Sequence, residues 1–73
     1  MKILTVKTRA GYESPDRRFG AWREGRRWVL VDRQHRDRDG SVTITFPATL
    51  WRADAQAAVL ARESQVNGYR SSR

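Results

Sequence analysis

Cysteine is absent from this chain, which removes disulfide bracing and every thiolate metal site. Histidine occurs once, at position 35, so no pair of imidazoles can share a metal. Apolar runs are short: the opening MKILTVKTRAGYES carries too few consecutive apolar residues for a signal-peptide core or a membrane span. Lysine is nearly missing too, with only Lys2 and Lys7 among fifteen basic residues. These absences predict a soluble, cytoplasmic protein with no membrane partner, no cofactor and no metal. At 73 residues it forms one domain at most. Such a domain buries only about 60% of the surface that its unfolded chain exposes, so packing alone must hold a thin core.

What is present in excess is arginine. The formal net charge is +7, which draws the chain toward polyanions or acidic protein surfaces. Arginine's planar fork suits bidentate contact with carboxylate or phosphate better than a lysine point charge does. GC-rich coding DNA also raises arginine at the expense of lysine, without any binding role.

Three stretches carry strand patterns. KILTVKT, positions 2–8, is rich in β-branched residues, with Leu4 and Val6 expected on one face and Ile3, Thr5 and Lys7 on the other. RWVLVDR, positions 27–33, is the strongest. SVTITF, positions 41–46, alternates so that Val42, Ile44 and Phe46 share the face expected to be buried, and Thr43 and Thr45 the wet one. Positions 9–18 hold Gly11, Ser14, Pro15 and Asp16 and read as an exposed connection, while Asp39-Gly40 is a turn pair between the later strands. After Pro47, positions 48–63 contain six alanines and read as a helix. Leu50, Ala53, Ala57 and Leu60 form its buried stripe, flanked by Trp51, Ala58 and Ala61, with Phe46 packed beneath. Positions 64–73 offer few apolar groups and are expected to form a flexible tail. The predicted fold is α+β: an antiparallel sheet of three to four strands with one C-terminal helix, as a single domain over 1–63.

RRFGAWREGRRW, positions 17–28, interleaves five arginines with three aromatics and should add a strand in a hairpin. A three-residue loop of Arg23, Glu24 and Gly25 confines positive φ to glycine. It would pair Trp22 with Arg26 and Gly20 with Trp28, placing Trp22, Trp28 and Leu30 on one face and Phe19, Ala21, Val29 and Val31 on the other. Both faces are then apolar, and one helix covers only one of them. Either the sheet curls to cover itself, or an apolar, arginine-rimmed patch is left for a partner. Arginine and tryptophan are enriched in interface hot spots, so Arg17, Arg18, Trp22, Arg23, Arg26, Arg27 and Trp28 are the candidate partner-binding residues. The same set could stack on bases and track phosphates, but Glu24, Asp32, Asp37 and Asp39 interrupt the basic field.

Catalytic motifs fail on inspection. His35-Arg36-Asp37 matches the letters of the kinase catalytic loop, yet the metal-binding asparagine position is Val42. The Asp37-x-Asp39-Gly40 stretch would need a calcium ligand at His35 and another at Phe46, and phenylalanine cannot serve. With no nucleophile and base pair and no phosphate-binding glycine loop, no enzyme activity is expected.

In its length, its arginine-rich composition and its run from MKILTVKTRAGYESPDRR onward, the whole chain resembles the small Xanthomonas-phage transcription regulators that bind host RNA polymerase. The resemblance implies a non-enzymatic bacteriophage protein acting in the host bacterial cytoplasm; a monomer is expected. It implies contact with a polymerase subunit, inhibition of initiation and antitermination. It transfers no contact residue by position. A direct DNA- or RNA-binding protein and a small phage structural or assembly protein are the alternatives.

Overall fold

The computed structural model of the chain describes the backbone of residues 2–36 and 39–71, and the side chains of residues 2–34 and 39–63. Among the described residues there are five strands and one helix: β1 (Val6–Lys7), β2 (Gly11–Glu13), β3 (Phe19–Glu24), β4 (Arg27–Arg36), β5 (Val42–Thr45) and α1 (Leu50–Ser71). The strands follow one another as an antiparallel meander in the order β1-β2-β3-β4-β5. The architecture is α+β as expected, with five strands in place of three or four. α1 continues beyond Glu63 through Ser71. The side chains of the expected tail, like that of His35, lie outside the described residues.

The additional strand is β2, in a stretch that turn composition alone marks as a loop. Gly11 makes it possible: a Cβ there would sit 2.1 Å from the Ala21 carbonyl oxygen and 2.9 Å from the Trp22 Cα, so only glycine lets β2 close on β3. The turn signals belong to the tight connection that follows. Asp16 Oδ1 accepts from Ser14 Oγ at 2.6 Å and from the Arg18 amide at 3.0 Å, while Ser14 Oγ in turn accepts from the Phe19 amide at 2.9 Å. These donors hold the Asp16 carboxyl below its usual value, the Ser14 hydroxyl first. Arg17 pays for this geometry with a left-handed backbone, φ 64°.

The hairpin between β3 and β4 turns on Gly25 and Arg26, with Glu24 opposite Arg27 and Trp22 opposite Val29. Gly25, at φ 63°, takes the first central position, where a type II′ turn needs positive φ. The expected three-residue loop and its pairs are therefore wrong, and an odd shift in register exchanges faces. Phe19, Ala21, Trp28 and Leu30 share the side that faces α1. Trp22, Val29 and Val31 share the other.

The core lies between sheet and helix: Leu4, Phe19, Ala21, Leu30, Ala53 and Ala57 are buried in one cluster, with Ile3, Tyr12, Trp28, Leu50, Leu60 and Ala61 packed around it. Alanine at the helix positions nearest the sheet permits the close approach. Thr49 caps α1, its Oγ1 accepting from the Arg52 amide at 3.2 Å. The helical stripe is the expected one, except that Trp51 points into solvent, 75% exposed.

Two further expectations are overturned. Leu4 and Val6 do not share a face: Leu4 is fully buried and Val6 is 41% exposed. The chain bends at Ile3, and Asp54 of α1 holds the bent segment, accepting from the amides of Lys2, Ile3 and Leu4 at 3.1, 3.0 and 2.8 Å. The alternation in β5 is real, but its sides are reversed. Thr45 stands opposite Leu30 and its Oγ1 donates to Gln56 of α1 at 2.8 Å, so the threonines face the helix. Ile44 and Phe46 face away, 49% and 54% exposed, and Phe46 does not pack under Leu50, Ala57 and Leu60.

Candidate protein-contact surface

The helix-free face of the sheet is built from alternate residues of four strands. Across its centre run Trp22 of β3, Val29 and Val31 of β4, and Ile44 of β5 followed by Phe46. Val29 and Val31 are buried although no helix covers them. Trp22 and Ile44 are their direct cross-strand partners, and Phe46 continues the same register beside Val29. Large side chains at the rim thus shelter small ones at the centre. The sheet remains open among the described residues, because β1 and β5 are its two edges and do not meet. Part of this face is covered from within the sheet, at Val29 and Val31, and part is left exposed, at Ile44 and Phe46.

Charge is arranged around this apolar strip in two ways. The Arg27 guanidinium lies over the Phe46 ring, 4.1 Å from its centroid, a cation–π contact at a half-exposed aromatic. Arg33 reaches across Gly20, where a Cβ would come within 2.8 Å of its Nη2, and its Nη1 donates to the Arg17 carbonyl at 2.6 Å. Glu13 and Glu24 stand on the same face by register, opposite Gly20 and Arg27. Acidic and basic groups therefore alternate around the strip. That pattern fits a mixed protein surface better than the continuous negative charge of a nucleic-acid backbone.

The candidate residues from positions 17–28 do not form one patch. Trp22 and Arg27 lie on the helix-free face. Trp28 packs against the core on the opposite face, and Arg23, also on that side by register, is exposed with its Nε donating to the Gly25 carbonyl at 3.2 Å. Arg26 is exposed in the turn and Arg17 is exposed at the other end of β3. Arg18 is structural: its Nε and Nη2 grip the two oxygens of Asp32, each at 2.9 Å, and its Nη2 also reaches the Leu60 carbonyl at 3.4 Å. Asp32 is fully buried, and its hydrogen-bonded carboxylate raises the Arg18 guanidinium above its already high ordinary value.

Phe46 and Ile44 belong to the surface, although their alternation alone points to the core. The signal that could have placed them is the pairing of Thr45 with Leu30, which no feature of the local sequence reveals. No group of three or more metal-ligating side chains occurs among the described residues. No helix among them is long and apolar enough to cross a membrane. No protein-family model matches the chain, and neither a curated protein nor a solved structure matches it.

Proposed function

We propose that this chain is a phage-encoded, non-enzymatic regulator that binds bacterial RNA polymerase through protein contact, inhibiting initiation and promoting antitermination in the host cytoplasm. The observation that carries the reading is the helix-free sheet face, where Phe46 lies half-exposed beneath Arg27 and continues into Ile44 and Trp22. Aromatic and arginine side chains surrounding small buried ones are what hot-spot anchors require, and the +7 net charge supplies electrostatic steering toward an acidic subunit surface. The resemblance to phage transcription regulators supplies the identity of that partner. The arrangement supports protein over nucleic acid because Glu13 and Glu24 share the face.

The test is capture of polymerase from a nuclease-treated bacterial lysate, followed by transcription with purified polymerase on a template carrying a promoter and a terminator. Bound polymerase, fewer initiated transcripts and more readthrough are expected. A chain that recovers no polymerase, yet binds naked DNA or RNA tightly at physiological salt, returns the nucleic-acid alternative. Salt separates the two further, since a phosphate-tracking protein loses about 10³–10⁵ in affinity between 50 and 200 mM salt and an interface held by anchors loses less.

A further inference from the structure

The two edges of the sheet are not alike. β1 is two residues long and ends in Lys7, a short, charged edge of the kind that resists pairing with another strand. β5 is four residues, Val42–Thr45, without a charge. Its ladder partner lies on one side only, β4.

The direction of its free backbone groups follows from the register. The Trp28 amide donates to the Pro47 carbonyl at 3.0 Å, so Trp28 and Pro47 form a hydrogen-bonded pair, as do Leu30 with Thr45 and Asp32 with Thr43 in the same register. The residues between, Ile44 and Phe46, therefore turn their N–H and C=O groups outward. Beneath this edge lies a groove of about 310 Å³ between β5 and α1, lined by Thr45, Ala55, Gln56, Val59, Leu60 and Glu63. Val59 is 52% exposed there. The volume is at the bottom of the range for small-molecule sites, about 300–1,000 Å³. It suits the side chains of a strand laid along β5.

We propose that the outer edge of β5 takes up an extended segment of a partner protein as a sixth, antiparallel strand. Alternate apolar side chains of the segment enter the groove against Val59 and Leu60, and acidic residues precede them. An antiparallel segment begins beside Phe46, where Arg27 is stacked, so its acidic N-terminal residues meet that guanidinium. A second copy of this chain is the poorer occupant, because each copy brings a net charge of +7 to the joint. Main-chain bonds along the edge supply affinity and the groove supplies specificity. The proposal deepens the protein-contact reading and rests on it for the existence of a protein partner, though not for the identity of that partner.

The experiment uses the full, ¹⁵N-labelled chain and a capped synthetic peptide in which two glutamates precede alternating valine and threonine. Valine is set to face the groove, so the threonine amides pair with Ile44 and Phe46. Saturable binding should slow hydrogen exchange at the Ile44 and Phe46 amides by at least about tenfold. N-methylating the threonines should weaken binding by at least about tenfold, whereas N-methylating the valines, whose amides point away from β5, should be tolerated. Ile44→Pro removes an outward N–H that the fold does not use and should abolish binding. If that variant fails to fold, Val59→Glu, at an exposed position, closes the groove and should do the same. Lysine in place of the glutamates should weaken the peptide.

No saturable binding at millimolar peptide, equal effects of the two methylation patterns, or shifts confined to other strands would overturn the proposal. So would a chain dimer paired through β5. Polymerase binding is measured alongside. Peptide capture without polymerase binding rejects only the polymerase reading, and polymerase binding unaffected by Val59→Glu, which lies in the groove and off the helix-free face, rejects only the edge proposal.

Discussion

Replacing Asp54 by alanine removes a single carboxylate that holds three backbone amides from the opposite end of the chain. The bonds to Lys2, Ile3 and Leu4 measure 3.1, 3.0 and 2.8 Å, and Leu4 is fully buried. Its amide, left without an acceptor, costs about 1–3 kcal/mol, and the two flanking amides, nearer solvent, recover water and add about 1 kcal/mol between them. Asp54→Ala should therefore destabilise the fold by about 2–4 kcal/mol, which lowers the thermal midpoint of a domain this size by about 10–25 °C. Asp54→Asn keeps one acceptor oxygen and should lose about half as much. Burial raises the proton affinity of this carboxyl, but the amides of Leu4, Lys2 and Ile3 outweigh it and leave the value below the usual 3.8. The folded state thus binds the proton less readily than the unfolded chain. The stabilisation is complete above about pH 4 and disappears as pH falls through the lowered value. Thermal unfolding followed by circular dichroism at neutral pH and at about pH 2.5 reads both effects. A midpoint for Asp54→Ala within about 3 °C of the parent at neutral pH, or a gap that does not narrow in acid, would refute the anchoring role.

Three further substitutions probe the frame. Arg18→Met leaves the fully buried Asp32 without its bidentate guanidinium and should cost about 3–5 kcal/mol, with much of the loss recovered when Asp32→Leu is added; chemical denaturation of the single and double variants decides it. Gly11→Ala places a Cβ 2.1 Å from the Ala21 carbonyl oxygen and should separate β2 from β3, destabilising by at least about 2 kcal/mol, with the loss of β2–β3 cross-strand contacts in NMR spectra as the check. Arg17→Gly relieves a left-handed backbone at an exposed site and should be neutral or stabilising by up to about 1 kcal/mol, read as a rise in thermal midpoint.

The elements that declare themselves locally were legible in the sequence. The β-branched alternation of positions 42–46 and the alanine-rich run after Pro47 produce β5 and α1, and the helical stripe through Ala53 and Ala57 is the buried one. Sidedness was not legible. Positions 19–31 are apolar on both faces, so the pattern tolerates either register, and the choice falls to the Gly25-Arg26 turn. One consequence moved Trp28 into the core and left Trp22 on the helix-free face. β2 was hidden because Gly11 is at once a turn residue and the only residue that fits against Ala21. The bend that separates Leu4 from Val6 depends on Asp54, an acceptor fifty positions away. Within the arginine cluster, composition could not distinguish Arg18, consumed by Asp32, from Arg27, stacked on the surface over Phe46.

The affinity of Phe46→Ala for bacterial RNA polymerase tests most directly whether the helix-free face is a contact surface. The ring is 54% exposed, so its loss should cost the fold only about 1–1.5 kcal/mol, roughly half the value of a fully buried side chain. As an anchor beneath Arg27 it should contribute about 2 kcal/mol to binding, a loss of about thirtyfold in affinity from a variant whose NMR spectrum remains that of the folded chain. A folded Phe46→Ala variant that binds polymerase as tightly as the parent would contradict the account, as would a variant that unfolds.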